Sequence, residues 1–531
     1  MEKTCRAYDL LRLSDGIVRV PFLVKGALVL PPEVSREQLE AAFAGLERDV
    51  LYCRLPNAQL IREPVIDREA MRYTGGYVYQ VLPTVSPESL IETDIDRLSN
   101  GLYALPVDEV LDYLGRISAT ISENTGLVRS VRDLCRLTSE LPDSLLDAWF
   151  AALCFMFDRD AARSMIDNEL SVWGTPGSRF LEGWVEAPSR RLPGLNALLA
   201  PGRNVSAPPE QPATRIRAMP TRQLHIAAGN SPEIPVICAL RAILTKSAGV
   251  VKCPRGTTLS ASLFALAAAV AAPDHPITRN LSLVYWEGGE ESVESALFWP
   301  NAFDRMVVWG TADTVASVQS SAPFTRTVCF NPRYGVSLIG REAFTSDIEQ
   351  VAALACADSL VHNQKSCAAS LVHYVEGTQE QAEKYAGAVR RALEKWDAAM
   401  PQFVAPSVRG QIKRLKRGKY NAAGWYLNGG EDDFRSGVAL MEGEFDLLDH
   451  PMCRLVVVRR VDDLTDALRY MHQGVSAVGM YPEERRLALR DRIAAKGVSS
   501  VLPLGQCERV YPGMPHDGMM VLSHLVDWKN G

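Results

Sequence analysis

The chain has 531 residues, enough for two or three packed domains, and its 47% hydrophobic and 23% charged residues place it among ordinary globular proteins. Its 57 Lys and Arg and 63 Asp and Glu give a net charge of −6, and no long stretch concentrates basic residues, so nucleic acid and anionic membranes are not expected partners. Eleven cysteines without a C-x-x-C pair argue against a disulfide framework and a zinc ribbon.

No membrane segment is predicted. The longest nearly apolar run covers residues 261–272, whereas a spanning helix needs about 20 apolar residues. The first residues are charged and no apolar h-region follows them, so no secretory signal is expected. The resulting expectation is a cytoplasmic protein.

The front of the chain predicts structure but carries no chemical motif. Residues 1–100 mix short β-like runs with loops, and residues 107–170 have Leu and Ala at helical spacing. Eight prolines fall within residues 174–222, and such a density opposes regular structure. We interpret 174–222 as a connection to a larger second half.

Strand-like runs and helical patterns alternate after this connection. The predicted strands are 223–227, 249–253, 281–286 and 305–309, and the predicted helices are 234–246, 257–272, 291–298 and 313–320. Continuous apolar strands in this alternation indicate a parallel sheet with helices on both faces. Such sheets bind ligands at the carboxyl ends of their strands.

A second α/β series follows, beginning with a predicted strand at 336–339 and a helix at 346–361 that is N-capped by Ser346 or Thr345. Its further predicted elements are strands 455–461, 476–480 and 499–504 and helices 464–472 and 482–496. The predicted domains are residues 1–100, of unassigned role; residues 101–345, which include a nucleotide-binding core at 223–345; a catalytic α/β domain at 346–480; and a completing segment at 481–531.

Cys367 is the candidate nucleophile. It lies in a polar loop beside Lys365 and between His362 and His373, surroundings that favour the thiolate. The alternative is a buried free cysteine, as for any one of eleven.

Four segments resemble the aldehyde dehydrogenase superfamily. The segment from Gln364 to Cys367 is similar to its nucleophile loop, and Ala228-Gly-Asn-Ser-Pro resembles the turn whose Asn, here Asn230, donates to the substrate oxyanion. Two cofactor turns are also similar to segments of this chain. The Lys-Pro turn at the adenosine ribose matches Lys252 and Pro254, and the Gly-Ser/Thr turn under the pyrophosphate matches Gly310 and Thr311. Their order and spacing fit one architecture, a Rossmann-variant cofactor domain plus an α/β catalytic domain.

Within that superfamily the chain resembles the LuxC branch, the acyl-CoA reductases that make aldehyde for bacterial luminescence. The likeness covers roughly residues 100–531 and rests on segments 224–232, 362–367, 497–505 and 511–518. It implies reduction of a fatty acyl thioester through a cysteinyl acyl-enzyme, and a homo-oligomer. The donor is acyl-CoA or an acyl carrier, with an acyl-transferring partner enzyme as a further possibility. The acyl chain stays open.

The chain departs from ordinary aldehyde dehydrogenases at their hydrolytic Glu. The corresponding segment, residues 329–338, contains no carboxylate, which favours thioester reduction over oxidation to a free acid. A shifted alignment would recruit Glu342 instead. Two alternatives stay open at the level of function: a CoA-acylating aldehyde dehydrogenase working in the oxidative direction, and a non-catalytic scaffold.

The remaining expectations concern ligands. Lys252 and Arg255, two cations without a nearby acidic residue, suit a 2′-phosphate and favour NADPH over NADH, unless Arg255 is merely solvated. His516 and Asp517 fall where the superfamily closes a loop over the substrate mouth, although a structural turn explains them equally well. The basic run 411–419 is a solvated face or a contact for coenzyme A phosphates. No metal is predicted, because the histidines lack ligand spacing.

Overall fold

The structure is a computed structural model that describes residues 11–188, 214–509 and 511–531. Of the predicted proline-rich connection, residues 189–213 lie outside this part of the chain. Two seven-stranded sheets, each with helices packed on it, form the two main lobes of the described molecule, which confirms the predicted α/β class. No helix in the described ranges is both long and apolar enough to cross a bilayer.

The first sheet has the order β13-β12-β9-β10-β11-β2-β3. Its strands are β2 (Phe22–Val24), β3 (Ala27–Val29), β9 (Arg222–Ile226), β10 (Ala248–Lys252), β11 (Leu281–Val284), β12 (Arg305–Trp309) and β13 (Arg326–Phe330). The last five run parallel, and β2 joins β11 antiparallel. Residues 22–29, from the part of the chain without an assigned role, therefore extend this sheet.

Apolar helices cover the first sheet. They are α9 (Ile234–Leu244), α10 (Thr258–Ala271), α11 (Glu291–Leu297) and α12 (Ala312–Ser321). Every residue of α10 from Thr258 to Ala268 is buried, because this helix lies between the sheet and two further helices. Those two belong to a helical block formed by α4 (Val107–Glu123), α5 (Thr125–Thr138), α6 (Asp143–Ala152), α7 (Arg159–Glu169) and α8 (Gly177–Glu182).

The second sheet has the order β16-β17-β18-β15-β14-β19-β20, and all its neighbours are parallel except β16 and β17. Its strands are β14 (Tyr334–Ile339), β15 (Ser370–Glu376), β16 (Ala422–Asn428), β17 (Ser436–Met441), β18 (Leu455–Val461), β19 (Val475–Tyr481) and β20 (Ser500–Pro503). Its helices are α13 (Ile348–Ser359), α14 (Gln379–Ala399), α15 (Pro406–Arg414) and α16 (Glu483–Ala494). The chain crosses between the sheets at residues 331–333, ahead of the predicted boundary at 345. The division into functional domains stays a prediction.

The N-terminal part also forms a separate four-stranded sheet that reaches the second lobe. Its order is β1-β6-β5-β4, with β1 (Ile17–Arg19), β4 (Tyr52–Leu55), β5 (Ala58–Asp67) and β6 (Arg72–Pro83). Three short helices flank it: α1 (Arg36–Phe43), α2 (Pro87–Leu90) and α3 (Ile95–Asn100). At the far end of the β5–β6 hairpin, the Tyr73 ring lies 4.8 Å from that of Phe403.

The C-terminal part of the chain returns from the second lobe to the first. After β20 it crosses to α17 (Val521–Leu525) and β21 (Asp527–Asn530), and β21 pairs with β8 (Arg215–Met219), which in turn pairs with β7 (Val185–Glu186). The carbonyl of Leu525 accepts a hydrogen bond from Thr221 Oγ1 at 2.6 Å, which fixes this return next to β9. Residues 511–520 thus lie between the two lobes.

Two local predictions were wrong. The helix expected at 346–361 begins at Ile348, and its N-cap is Asp347, whose carboxylate accepts from the backbone N–H groups of Glu349 and Gln350. Aspartate caps as well as serine, so the spacing alone did not decide between neighbours. The helix expected at 464–472 is a 3₁₀ segment, Leu464–Tyr470.

Candidate active site

The site lies where the carboxyl ends of the first sheet face the loop before β15. His516 packs its ring against Trp309 and Phe330, the last residues of β12 and β13, with centroids 5.4 Å and 5.0 Å apart. The next residue, Asp517, reaches the second lobe, where Arg333 Nε lies 3.4 Å from its carboxylate. Consecutive residues of the crossing segment therefore join the two lobes at the site.

The loop that carries Cys367 has an unusual backbone. His362, Asn363 and Gln364 are consecutive residues with φ of 46°, 55° and 67°, in the left-handed region that non-glycine residues rarely adopt. Each such residue costs on the order of 1 kcal/mol or more, so the surroundings must hold it. One such contact is the hydrogen bond that the side-chain amide of Gln364 donates to the carbonyl of Leu455 at 2.8 Å.

Asn363 connects this loop to a second left-handed run, Met452 to Arg454. The carboxamide oxygen of Asn363 accepts from Arg454 Nε at 2.7 Å, and the fully buried Arg454 also pairs with Asp397 at 2.9 Å. A buried guanidinium with several partners is rigid. These buried contacts therefore hold the Cys367 loop in place without a ligand.

Cys367 lies among polar groups. Its Sγ and one ligand atom each of His516 and Asp517 lie within 4.8 Å of one another. Burial, and then the Asp517 charge, raise the pKa of the Cys367 thiol above its usual value, while hydrogen bonds with Ser476 and Ser366 lower it in part. The expectation that the surroundings favour a thiolate was wrong, because burial and a carboxylate from another part of the chain both raise the pKa of the thiol.

The cations next to Cys367 in sequence are engaged elsewhere. Lys365 Nζ lies 3.4 Å from Glu140, and His362 Nε2 lies 3.4 Å from Glu233. His373 is buried, with one ring nitrogen bonded to Ser359 and the other to Tyr385, and burial lowers its pKa to about 3.

Asn230 lies against the same loop. The turn after β9 brings its Nδ2 to the backbone carbonyl of Lys365, to which it donates at 2.9 Å. The side-chain amide has two N–H donors, and this bond uses one of them. Asn230 and Cys367, far apart in sequence, are thus brought together.

Lys252 is the last residue of β10, Pro254 lies in the turn after it, and Arg255 begins a 3₁₀ turn. The premise that no acid lies near the two cations was wrong: Glu294 and Glu287 are close enough to raise the pKa of the Lys252 ammonium, which burial lowers more strongly. Burial raises the pKa of the Glu63 carboxyl, and the charge of Arg255 lowers that pKa in part.

At two glycines of these turns, neighbouring groups leave little room for a side chain. A Cβ on Gly310 would lie 2.9 Å from the side chain of Thr314, and one on Gly229 would lie 3.2 Å from Pro254. Thr311 N-caps α12 and accepts from the Thr314 backbone at 3.3 Å. The N-terminus of a helix behind a glycine turn suits a phosphate.

A cavity of about 470 Å³ lies between α11 and α12. Glu294, Phe298 and Trp299 line one side, and Ser317 and Phe324 line the other. Trp299 is 69% exposed and Phe324 is 83% exposed, so a flat apolar group placed here would cover aromatic surface.

One alternative from the sequence is decided by position. Glu342 lies beyond the carboxyl end of β14, where Arg485 Nε donates to it at 3.0 Å, whereas the Cys367 loop meets the opposite end through Gly335. The strand separates them by more than about 13 Å, so the shifted alignment was wrong. In the basic run 411–419, Lys416 Nζ lies 3.1 Å from Glu431, and the solvated face and the contact with coenzyme A phosphates both stay predictions.

Sequence reasoning missed Arg241, Arg333 and Ser476. Arg241 Nη2 donates to His516 Nδ1 at 2.8 Å, and its guanidinium also packs over Trp309. Arg241 is the one charged residue of an otherwise apolar helix, a signal that would have found it. Arg333 and Ser476 join the site only through the folding of the second sheet, and no local pattern marks them.

The architecture places the protein among the aldehyde dehydrogenases by fold. An aldehyde dehydrogenase from Brucella melitensis biovar abortus 2308 superposes with a TM-score of 0.66, covering 98% of both chains at 12% identity. An NADP-dependent glyceraldehyde-3-phosphate dehydrogenase from Bacillus halodurans C-125, solved with NADP, gives 0.66 at 15% identity and covers 96% of this chain and 98% of its own. The predicted fold is confirmed.

Sequence comparison goes one step further. The model of the family described as acyl-CoA reductase (LuxC) matches residues 208–528, and the chain belongs to that family. A long-chain acyl-protein thioester reductase of Photorhabdus laumondii subsp. laumondii is 26% identical over 323 residues, which is 60% of this chain and 65% of that protein. One from Aliivibrio fischeri is 25% identical over 305 residues, or 57% and 62%. The chain thus spans less than two thirds of the length of these relatives.

Proposed function

We propose that the protein reduces an acyl thioester to the aldehyde, with NADPH as hydride donor and Cys367 as the residue that carries the acyl group. The observation that carries the proposal is the hydrogen bond from Asn230 to the backbone of Lys365. It sets an amide donor from the cofactor sheet against the loop of a candidate sulfur nucleophile, the pair that acyl transfer requires. The family description and the names of the relatives both concern acyl groups, which supports this chemistry.

In the proposed reaction Cys367 Sγ attacks the carbonyl carbon of the thioester. The second N–H of Asn230 and the backbone N–H of Cys367 stabilise the oxyanion, each by on the order of 3 kcal/mol. The donor thiol leaves, and the acyl group stays on Cys367. The loop geometry fixed by Asn363 and Arg454 keeps the sulfur in place during this exchange.

The turns at the strand ends are the proposed cofactor site. Lys252 and Pro254 would hold the ribose, Gly310 and Thr311 the pyrophosphate, and the cavity beside Glu294 the adenine. When bound, the nicotinamide nucleotide supplies the hydride that reduces the acyl group. Because the carboxylates of Glu287 and Glu294 already interact with the Lys252 ammonium, Arg255 is the proposed partner of a 2′-phosphate.

The donor is proposed as an acyl thioester of either coenzyme A or a carrier protein. The family is described by acyl-CoA, whereas the relatives are named for acyl-protein thioesters. The reacting bond is the same in both, so the residues near Cys367 serve both donors.

Intact-protein mass spectrometry tests the proposal. The protein is mixed, without NADPH, with acyl-CoA thioesters of several chain lengths and with an acyl-carrier protein. We expect one acyl mass on the wild type and on Cys453→Ala, a matched control in the neighbouring left-handed run, and none on Cys367→Ala. NADPH should then release the acyl group as aldehyde.

An adduct that persists in Cys367→Ala would remove Cys367 from the mechanism. A wild type that takes up no acyl group from any donor would instead favour the scaffold alternative. The preferred donor and chain length follow from whichever adduct forms fastest.

A further inference from the structure

Asp517 is a buried carboxylate that the proposed function does not yet use. Its side chain is 4% exposed and lies 3.4 Å from Arg333 Nε, while Ser476 Oγ donates to it at 3.4 Å. The backbone of Asp517 has a φ of 51°, and Gly518 has 79°, within a tight turn closed by hydrogen bonds between His516 and Met519. Asp-Gly is typical of such a turn. The turn role foreseen from the sequence therefore holds, and the side chain is left to face Cys367.

Acylation of Cys367 needs a proton acceptor. Burial and the Asp517 charge raise the pKa of the thiol, so at neutral pH the sulfur is protonated and poorly nucleophilic. The proton must leave as the sulfur attacks.

His516 lies as near to Cys367 as Asp517 does, but its lone pair is occupied. Its Nδ1 accepts from Arg241, so Nε2 carries the ring proton and has none of the acceptor capacity a base needs. Burial, Arg241 and Arg333 also lower the pKa of His516 to about 3. The imidazole thus stays neutral and acts as a spacer between the two lobes.

We propose that Asp517 is the general base and acid of the acylation step, taking the Cys367 proton and returning it to the departing thiol, a role that rests on the proposed function. As Sγ bonds to the carbonyl carbon, the thiol proton passes to the Asp517 carboxylate directly or through the Ser476 hydroxyl. The carbon–sulfur bond to the donor then breaks, and the carboxyl protonates the leaving thiolate. The sum is Cys–SH plus RCO–SR′ giving Cys–S–COR plus R′SH, with no change of oxidation state.

The electrostatics of Asp517 suit this task. Burial raises the pKa of its carboxyl above the usual value, although Arg333, Ser476 and Arg241 lower it in part, so the group is a stronger base than an exposed carboxylate. The titratable and charged groups facing it are Cys367 from the loop before β15, His516 beside it, Arg333 before β14 and Arg241 from α9.

The test compares Asp517→Asn with the wild type in two assays. Asn tolerates the left-handed backbone and keeps the size of the side chain, so the turn is preserved. The first assay is the pH profile of iodoacetamide alkylation at Cys367, located by peptide mass spectrometry. The second is the single-turnover rate of acylation by acyl-CoA and acyl-carrier protein. Asp274→Asn, an exposed change beside Arg279, is the control.

We expect the alkylation profile of Asp517→Asn to move to lower pH by about 1 unit or more, because a like charge is lost. We expect its acylation to fall by about 10² or more, because the proton acceptor is lost. If Asp517 only suppressed ionisation of the thiol, its loss would move the profile to lower pH and speed acylation. If Asp517 were only structural, its loss would leave the profile unchanged. Either result overturns the proposal.

Ser476→Ala gives a second reading with the opposite sign. The Ser476 hydroxyl lowers the pKa of the thiol, so its removal should move the alkylation profile to higher pH and slow acylation. A profile that moves down in Ser476→Ala would overturn the arrangement. A wild type that accepts no acyl group defeats the proposed function and this role together, whereas equal acylation of wild type and Asp517→Asn defeats this role alone.

Discussion

The side-chain amide of Asn230 has two N–H groups, and the proposed mechanism gives each of them a task. One proton is committed to the Lys365 carbonyl at 2.9 Å, which ties the turn after β9 to the nucleophile loop. The other is available to a developing oxyanion. In the proposed reaction the same side chain therefore both positions the loop and stabilises charge, so truncation would remove both contributions.

We predict that Asn230→Ala lowers kcat for acyl-CoA-dependent NADPH oxidation by about 10² to 10³, the usual cost of one oxyanion donor. Its KM should change less, since the amide serves charge that forms during reaction. Asn421→Ala, on the surface beside Glu442, is the control. A loss below about threefold would leave Asn230 with a structural role only.

The nucleophile loop shows how an element can be rigid without regular hydrogen bonding. Two left-handed runs, 362–364 and 452–454, meet through Asn363 and Arg454, and the ion pair of Arg454 with Asp397 lies beneath them. A buried charge that loses its partner is destabilising by about 3–5 kcal/mol.

Arg454→Met should therefore lower the free energy of unfolding by about 3–5 kcal/mol, because Asp397 is left buried and unpaired. Urea titration followed by tryptophan fluorescence measures the change. Arg460→Met, which alters a half-exposed pair on β18, should stay within about 0.5 kcal/mol. Equal effects in both variants would show that the loop does not depend on Arg454.

Periodicity predicted four strands of each seven-stranded sheet to within a few residues, because continuous apolar strands such as β12 and β18 admit few other assignments. Strands β13, β15, β16 and β17 were not predicted. The order of Asn230, Lys252, Gly310 and Cys367 also placed them at strand ends or in loops correctly. The state of the thiol was not predictable. Its main charged neighbour, Asp517, is distant in sequence, and spacing along a chain says nothing about such a contact.

At the scale of the whole molecule, the proposed function gives the two lobes separate roles: one would present turns for a nucleotide, and the other holds the sulfur. A ligand that binds only the folded state raises its stability, by about 2.7 kcal/mol at a hundredfold excess over Kd. In the proposed cofactor site, a Cβ at Gly310 would meet the side chain of Thr314, which packs against the turn. The turn would therefore accept a nucleotide only with glycine at this position.

Thermal unfolding with and without NADPH checks the cofactor face without measuring turnover. We expect NADPH to raise Tm by about 2 °C or more in the wild type and in Cys367→Ala. Gly310→Ala should lose this increase, whereas Gly115→Ala, where an added Cβ meets open space, should keep it. An undiminished increase in Gly310→Ala would move the nucleotide elsewhere.

The crossing of residues 511–520 between the lobes has a consequence for how the protein matures. Arg241, Cys367 and His516 come from widely separated stretches of sequence, and contacts of such separation form late in folding. An intermediate with a single completed lobe has the sulfur without its amide, or the nucleotide turns without the sulfur. Under the proposed function, a thioester that meets the chain before assembly is finished would not react, and acyl transfer would begin only in the fully folded protein.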